Sequence, residues 1–516
     1  MLLCLGSPPV DPSTQKALAL PIANPFSRHG RIFFFAWLSF LLSFLSWYSM
    51  PPLINQTIKG DLHLSDAEIQ NSNIIAGVAS LIVRLIAGPL CDKFGPRYVL
   101  VATLWLSAIP CGVAGTAQNA LGLYFVRFFM GIAGAAFVPC QCLMAQWFDK
   151  KVIGTASAFA AGWGDAGVGV TFFVMPAVFN SFKFSHSHPE RIAWRLSFIV
   201  PCVLLLACGL AVLLLNEDTP TGPWSTRELN QARRDSAQPV LSSGNSSMTV
   251  LDRSVQPPTI AAMKGSQQQA DLEKNEGASV VVERRGSAGT EVSTASPAAP
   301  AKQSFGSQLQ DLACLQTFML AATYFATFGI CLTTNSILVT WYIAKFGWSQ
   351  NEAGNWAALF GLLNIVARPV GGITADFLYR RFGESRGLLA KKFWMVALTI
   401  LGGALALLTG LLDLSTPTSL IVLVSVLAVL VEAGNGATYA VLPHVNPHIN
   451  GLMGGVVGGA GNLGGIVFST IARFSSIART IWVIGVVGIA IGVMVACIHP
   501  VVPRNKRTLY AAATSS

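Results

Sequence analysis

The amino-acid sequence predicts an all-α integral membrane protein with twelve transmembrane helices in two pseudo-symmetric six-helix bundles. Three observations support this prediction. The 516 residues are 52% hydrophobic and only 11% charged, with a mean hydropathy of +0.55, which is too apolar for an ordinary soluble protein. Apolar runs of about 20 residues, the length that crosses a hydrocarbon core of ~30 Å, recur twelve times. The third observation is an internal repeat that relates the first six runs to the last six.

The predicted elements follow in order along the chain. An N-terminal segment at 1–30 lacks the basic region and long apolar stretch of a secretory signal. The first bundle, at 31–215, has spans near 31–50, 72–91, 98–117, 120–144, 152–179 and 193–215. The second bundle, at 310–499, has spans near 312–340, 354–377, 391–412, 417–441, 451–473 and 478–499, and a tail at 500–516 follows.

The net charge of +10 does not indicate nucleic acid as a partner, because the basic residues are dispersed among the short loops between spans. By the positive-inside rule their distribution predicts that both termini are cytoplasmic. We therefore expect a multi-pass protein of the plasma membrane, with the lipid bilayer as its surroundings. The residues that set this orientation are Lys93, Arg97, Lys150, Lys151, Arg380, Arg381, Arg386, Lys391, Lys392, Arg504, Lys506 and Arg507.

Residues 216–309 change abruptly to Ser, Gln, Pro, Ala and mixed charge, which predicts a disordered cytoplasmic linker. Within it, the sequence RRGS ends at Ser287 and is a candidate site for a basophilic kinase. The ten cysteines include no C-x-x-C pair, and those in the spans are predicted to be small buried residues.

The internal repeat appears in two places. The stretch VRLIAGPLCDKFGPR recurs as ARPVGGITADFLYRRFG at an offset of 284 residues, and the stretch from Gly154 to Gly167 recurs from Gly451 to Gly464 at an offset of 297. This duplication predicts a pseudo-two-fold axis with substrate bound between the halves near the midplane. The loop residues of the first match are predicted to brace neighbouring helix ends as a structural gate: Gly88, Asp92, Lys93, Gly372, Asp376 and Arg380.

Arg84 and Arg368, which correspond in the repeat, lie about halfway along the second and eighth spans. A charge at that depth costs at least ~2.5–3.5 kcal/mol, so such arginines usually face a polar cavity. A structural ion pair with a carboxylate is the alternative, but no equally symmetric acidic partner lies at the same depth. Two planar guanidinium groups facing one cavity predict a site for a small oxyanion.

The stretch GLMGGVVGGAGNLGGIVFS has eight glycines, from Gly451 to Gly465, and AGWGDAGVGV in the fifth span is its counterpart. Small residues let helices approach closely, and bare backbone lets a small ligand reach the amide planes. We therefore expect these two glycine helices to line a narrow cavity for a substrate of very few atoms.

AGWGDAGVGVTFFVMP and GGAGNLGGIVFS resemble the two signature sequences of the nitrate/nitrite porter family of the major facilitator superfamily. FVPCQ, NSNII, VLPH and AALFGLLNIVARPVGGITADFLYR are similar to its fungal high-affinity nitrate transporters. The resemblance covers nearly all of the chain outside 217–308 and implies the major facilitator fold. Asp165 is a departure, because fungal relatives tend to carry Asn there whereas plant relatives share W-G-D.

The resemblance implies that Arg84 and Arg368 clamp nitrate, that Tyr324 is a hydrogen-bond donor and that Asn462 is the signature asparagine. Asp165, Gly164 and Gly461 belong to the same substrate-binding signatures. Phe44, Trp47 and Phe137 are candidate walls of the pocket, and packing in the core or against lipid is the equal alternative.

The predicted function is import of nitrate, with nitrite as a second candidate substrate, by proton-coupled symport and alternating access. Uptake of an anion against a negative interior costs ~2.3 kcal/mol per 100 mV, and Asp165 and Glu432 are the intramembrane carboxylates that could carry the protons. A nitrate sensor, a nitrate–nitrite exchanger, or a transporter of an organic anion, phosphate or sugar are the rival functions. The sequence has no nucleotide-binding loop, metal-ligand cluster or nucleophile triad, so we expect no enzyme activity, cofactor or metal.

Overall fold

The computed structural model describes residues 2–185, 187–227, 305–412, 415–499 and 501–502. Within these ranges, twelve helices are long and apolar enough to cross a membrane, and each overlaps one predicted span. The predicted fold class is therefore confirmed. The helices are α1 (Arg28–Leu62), α2 (Asp66–Phe94), α3 (Pro96–Thr116), α4 (Ala120–Trp147), α5 (Ile153–Ser185), α6 (Glu190–Leu215), α7 (Leu315–Phe346), α8 (Gln350–Gly383), α9 (Arg386–Leu411), α10 (Pro417–Val445), α11 (Pro447–Phe474) and α12 (Ile477–Ala496).

Several of these helices are irregular near their middle. A 3₁₀ segment, Gly131–Ala136, interrupts α4, and α5 is divided after Asp165, where its second part begins at Gly167. In the same way α8 is divided at Leu363, between Gln350–Leu362 and the part that carries Arg368. Irregular backbone inside a membrane is tolerated where it is buried in protein or lines a cavity. The breaks therefore mark the part of the molecule where a site is expected.

Two ends of the bundle can be distinguished. We call the end where α6 finishes and α7 begins the linker face, because residues 216–314 connect these two helices there; the other end is the opposite face. Glycines end α2 and α8 at the linker face, Gly95 with φ 91° and Gly383 with φ 75°. Backbone with positive φ favours glycine because it has no Cβ, so both sharp turns depend on these residues.

The halves contact each other through two symmetric helix pairs, α2 with α11 and α5 with α8. In the first pair a Cβ added at Gly88 would lie 2.6 Å from the carbonyl oxygen of Gly451, and in the second an added Cβ at Gly372 would collide with the carbonyl of Gly154. These four glycines are the repeat-related ones predicted from the sequence. Their missing side chains allow backbone-to-backbone contact between the halves.

The segments that precede α1 and α7 pack at the linker face. Strand β1 (Leu3–Cys4) pairs in parallel with β2 (Leu20–Pro21), and Ala17 forms a bridge to Phe148 at the end of α4. Helix Phe305–Leu312 precedes α7, and its Asp311 lies 2.6 Å from His448.

The first residues of the predicted linker are not disordered. Asp218 pairs with Arg97 at 3.0 Å, and Trp224 packs on Gly95 and donates to the carbonyl oxygen of Asp92 at 3.3 Å. The prediction of disorder from residue 216 is therefore wrong for 216–227, because a buried tryptophan and an ion pair hold this segment on the helix ends. The candidate kinase site at Ser287 lies outside the described residues.

Candidate functional site

Arg84 and Arg368 are both completely buried. Arg84 donates from Nε to the carbonyl oxygen of Gly134 in its own half, at 2.9 Å, and from Nη1 to that of Gly458 in the other half, at 3.0 Å. Its Nη2 has no hydrogen-bond partner among the described residues. Arg84 thus has one terminal nitrogen with donor capacity for another group.

Arg368 forms an ion pair with Asp165, so that α8 is joined to α5 across the boundary between the halves. Its Nη2 donates to the Tyr324 hydroxyl oxygen at 2.9 Å, and Glu432 of α10 lies 3.8 Å from its Nη1. The alternative of an ion pair with a carboxylate therefore applies to Arg368, and the absence of a symmetric partner also holds, because Arg84 has no carboxylate within 4.0 Å among the described residues. Asp165 lies on α5, which packs on α8. The depth of a residue along its span does not reveal which helix packs beside it.

Asp165 and Asn462 occupy corresponding positions in the repeat and stand beside corresponding arginines. Asn462 lies 2.7 Å from the Ser80 hydroxyl, and with its amide oxygen turned toward α2 it accepts from Arg84 Nε at 3.3 Å. One arginine therefore faces a neutral amide and the other a carboxylate. The two arginines thus have corresponding neighbours in the repeat, but only the neighbour of Arg368 has a titratable side chain.

Glu432 is also completely buried, and it is better satisfied than Asp165. Cys331 donates its thiol to one carboxylate oxygen at 2.6 Å, and the Asn435 amide donates to the other at 3.0 Å. Asp165 contacts Arg368 and accepts no hydrogen bond from any other described residue. Of the two predicted proton-carrying carboxylates, Asp165 is the one whose negative charge is balanced by its contact with Arg368, without further hydrogen bonds from described residues.

Aromatic rings surround the arginines. The Phe137 ring lies 5.1 Å from the guanidinium carbon of Arg84 and 5.4 Å from that of Arg368, within the range of cation–π attraction. Tyr324 stacks on Phe328 at 4.9 Å, and Phe137 contacts Tyr439 edge to face at 4.7 Å. In this conformation the same ring contacts both guanidinium groups, so the arginines do not face one open space as predicted.

The remaining two predicted wall residues differ in position. Trp47 lines a cavity near the arginines, whereas Phe44 is buried in the aromatic cluster, with its ring 4.4 Å from that of Phe40. Phe40 in turn lies 5.4 Å from the Phe137 ring. Phe44 therefore supports Phe137 through Phe40.

Gly164 and Gly461 serve packing in this conformation. An added Cβ at Gly461 would lie 2.5 Å from the Tyr324 ring and 2.8 Å from Phe328, and one at Gly164 would collide with the Phe40 ring. The expectation that these two glycines expose backbone to a ligand is therefore wrong here, because aromatic side chains fill the space. Gly458 is the glycine of α11 whose carbonyl faces Arg84.

A cavity of ≈ 70 Å³ lies between the arginines and the opposite face. A water molecule needs about 10–15 Å³ by the same measure, so the cavity has room for several waters or a small anion. Its deep end is at Asn462, beside Arg84, and its wall is rich in amides and hydroxyls. The polar residues that line it are Tyr48, Asn55, Gln70, Asn73, Arg127, Asn335, Ser336, Thr340, Asn462 and Ser469.

At the linker face, the two repeat-related aspartates bind helix starts in the opposite half. Asp92 accepts from the backbone N–H groups of Gly451 and Leu452, at 3.1 and 2.8 Å. Asp376 accepts from the Thr155 backbone N–H at 2.6 Å and from its hydroxyl. These contacts brace α11 against α2 and α5 against α8.

The basic residues around Asp92 and Asp376 differ from the expected ones, Lys93 and Arg380. Lys93 lies over the ring of Phe94, and Arg380 donates to the carbonyl oxygen of Lys151. The cation that pairs with Asp376, at 2.8 Å, is Lys391. The sequence placed Lys391 in a loop, whereas it is completely buried at the start of α9, where it also contacts His444.

Sequence reasoning missed one further intramembrane arginine, Arg127 of α4. It lies within a predicted span, as Arg84 and Arg368 do. The cost of a charge inside a span would have identified Arg127 as well. It was passed over because it has no counterpart in the repeat.

Known proteins resemble this chain over most of its length. The family model of the Major Facilitator Superfamily matches residues 36–261 and 313–514. The chain is 29% identical over 462 residues to "High affinity nitrate transporter 2.5" of Arabidopsis thaliana, which covers 89% of this chain and 76% of the relative. It is 27% identical over 456 residues to "Nitrate/nitrite transporter NrtP" of Nostoc punctiforme, which covers 86% and 87%.

Another relative carries a different name. The chain is 31% identical over 523 residues to "Elsinochrome transporter 1" of Elsinoe fawcettii, which covers 96% of this chain and 98% of the relative. The predicted resemblance to nitrate transporters is confirmed, and the relatives are transporters by name rather than enzymes. From the matched family model and the twelve helices, the chain belongs to the Major Facilitator Superfamily.

Proposed function

We propose that this protein imports nitrate across the plasma membrane by proton-coupled symport, with Arg84 and Arg368 as the anion clamp. The names of the Arabidopsis and Nostoc relatives support nitrate as the substrate, with nitrite as a second one. The observation that carries the mechanism is the buried ion pair between Arg368 and Asp165, beside a second buried arginine.

Charge balance gives this pair its function. Removing the carboxylate partner of a buried guanidinium is strongly unfavourable, because it leaves the charge uncompensated. When Asp165 takes up a proton its attraction for Arg368 is lost, and nitrate supplies the missing negative charge. One proton and one nitrate thus enter together without changing the net charge of the site. Binding of either without the other leaves an uncompensated charge.

The planar form of nitrate suits the donors that become available. Two N–H groups of a guanidinium lie in one plane and match two oxygens of a planar oxyanion. Arg84 contributes Nη2, and the Tyr324 hydroxyl, which accepts from Arg368, has its own proton to donate. Binding requires the Phe137 ring to move from its contacts with both guanidinium groups.

A second proton makes the cycle respond to voltage. One proton per nitrate is electroneutral, whereas two carry net positive charge into a cell with a negative interior, which contributes ~2.3 kcal/mol per 100 mV. Glu432, 3.8 Å from Arg368, is the second carboxylate of this network. We assign the two protons to Asp165 and Glu432.

The conformation fits one step of alternating access. The α2–α11 and α5–α8 contacts close the linker face, and the cavity lies toward the opposite face. With both termini cytoplasmic, as the positive-inside rule predicts, this is a state accessible from outside. Nitrate between the arginines would offset one of their two positive charges and let the halves rock about it.

The Elsinoe relative supports a second candidate, transport of the compound for which that protein is named. The completely buried paired arginines favour the small anion, because its few atoms can be enclosed between them. A nitrate sensor and a nitrate–nitrite exchanger are two further candidate functions. A sensor binds nitrate without concentrating it, and an exchanger needs nitrite on the other side and no proton.

The test is uptake of labelled nitrate in cells that express wild type, Arg84→Lys or Arg368→Lys. Arg479→Lys, an exposed arginine at the start of α12, is the matched control. We expect each clamp variant to reach the surface and lose uptake, while the control transports like wild type. Uptake that persists in both clamp variants would refute the clamp, and wild-type binding without accumulation would indicate the sensor.

A further inference from the structure

Arg127 of α4 is a third buried arginine, only 3% exposed, on the wall of the cavity. Its Nη1 donates to the carbonyl oxygen of Trp47 at 3.2 Å, and its Nη2 donates to the amide oxygen of Asn73 on α2. Its Nε has no hydrogen-bond partner among the described residues. Two neutral oxygens therefore hold the guanidinium in place without neutralising it.

Arg127 differs from Arg368 in its charged partners. Arg368 is paired with Asp165, whereas no carboxylate of the described chain lies within 4.0 Å of Arg127. A buried charge without a counter-charge is retained in a membrane protein mainly for function. The arrangement leaves a net positive charge at the wall of a cavity that can admit a small anion.

The position of Arg127 places this charge in line with the clamp. Asn73, which holds it, precedes Arg84 on the same helix by about 16 Å at 1.5 Å per residue. The cavity that Arg127 lines extends to Asn462, the neighbour of Arg84. An anion coming from the opposite face thus meets Arg127 before it reaches Arg84.

We propose that Arg127, with the amides of Asn73 and Asn335, forms an outer subsite that holds a monovalent oxyanion before it passes to the clamp. The identity of the anion as nitrate rests on the proposed function. The donors are a guanidinium and side-chain amides, and the cavity has room for a small ion. Two arginines along one path let the anion lose its water in two stages, first at Arg127 and then at Arg84.

Nitrate binding to purified full-length protein, measured by titration calorimetry, tests this subsite. The double variant Arg84→Lys with Arg368→Lys weakens the clamp, and we expect it to retain one weak nitrate site. Addition of Arg127→Gln should abolish that site, whereas Arg127→Lys should keep it. Arg191→Gln, which removes an exposed charge at the opposite face, should leave it unchanged.

In the wild-type background, Arg127→Gln should raise the KM for nitrate uptake about tenfold and leave the maximal rate nearly unchanged, because the clamp itself is intact. A merely structural arginine would instead lower the maximal rate and leave the KM unchanged. If the double variant binds no nitrate, or if Arg127→Gln changes neither its binding nor the KM, the outer subsite is refuted. Those results leave the proposed function standing as long as wild type accumulates nitrate and the clamp variants do not.

Discussion

At the scale of single residues, the difference between Asp165 and Asn462 determines how the site is charged. Both occupy the same place in the repeat, but only Asp165 can take up a proton, and it contacts Arg368 alone. The proposed coupling therefore assigns this proton to one half of the molecule. A neutral residue at Asp165 should leave Glu432 as the carboxylate within 4.0 Å of Arg368 among the described residues.

Asp165→Asn should remove one proton from the transport cycle and weaken the acid dependence of nitrate uptake. The variant leaves Arg368 permanently free of this carboxylate, so nitrate should still bind, but accumulation should fall about tenfold, equivalent to about 1.4 kcal/mol of coupling. The measurement is uptake and steady-state accumulation across external pH, with Asp165→Glu as the control that keeps a titratable group. Unchanged acid dependence in Asp165→Asn would remove Asp165 from the proton path.

The sequence identified part of this site. Arg84 and Arg368 could be found because charge is rare in apolar runs, and their repeat made them a pair. The Arg368–Asp165 contact could not be found from the sequence, since it depends on how α5 packs on α8 rather than on position along the chain. Phe328 and Tyr439 were missed for a related reason, because aromatic residues in a chain with 30 phenylalanines carry no individual signal.

At the scale of elements, α11 shows what its glycines do. Gly451 and Gly455 let backbone meet backbone on α2, Gly458 offers its carbonyl to Arg84, and Gly461 accommodates the ring of Tyr324. Different faces of one helix thus contact α2, including Arg84, and α7. The glycine count is explained mainly by close packing.

Gly461→Ala and Gly454→Ala make a matched pair of tests on this helix. The Gly461 variant should lose about 1–3 kcal/mol from overpacking against Tyr324 and Phe328, and transport with it. At Gly454 an added Cβ meets nothing within 4 Å, so alanine should be neutral or stabilising by up to about 1 kcal/mol. Thermal unfolding of the purified proteins and uptake in cells measure both effects. Equal losses in the two variants would show that helix flexibility, not packing at Tyr324, is what matters.

The helices themselves were largely predictable, because hydropathy and span length are set by the bilayer. The breaks in α4, α5 and α8 were not predictable, since hydropathy and span length do not show where the backbone inside a span is irregular. The docking of Trp224 was also missed, because its segment has the polar composition of the linker that follows it.

At the scale of the whole molecule, two aspartates join the halves at the linker face, and their surroundings are unequal. Asp376 has a buried lysine partner in Lys391, whereas Asp92 accepts from backbone N–H groups and is covered by Trp224. The symmetry of the repeat therefore extends to the helix starts that each aspartate binds. It does not extend to the cations around them.

Asp376→Asn should damage the protein more than Asp92→Asn. The first leaves the buried Lys391 without its carboxylate, which costs about 3–5 kcal/mol. The second weakens hydrogen bonds at a helix start, which costs about 1–3 kcal/mol. Thermal unfolding should rank the variants in that order, and Lys391→Met added to Asp376→Asn should recover part of the loss. The reverse order would mean that Trp224 and its segment contribute more to closure than the ion pair.

The reversal potential of the nitrate current shows whether protons and nitrate enter together. It therefore tests the coupling assigned to the Arg368–Asp165 pair. The purified protein would be reconstituted in a planar bilayer, with nitrate and pH varied independently on one side. Symport with two protons predicts a nitrate-dependent current whose reversal potential moves with both nitrate and pH in wild type. In Asp165→Asn the current should be lost, because the one proton that remains makes transport electroneutral. A wild-type reversal potential that follows nitrate alone would contradict proton coupling.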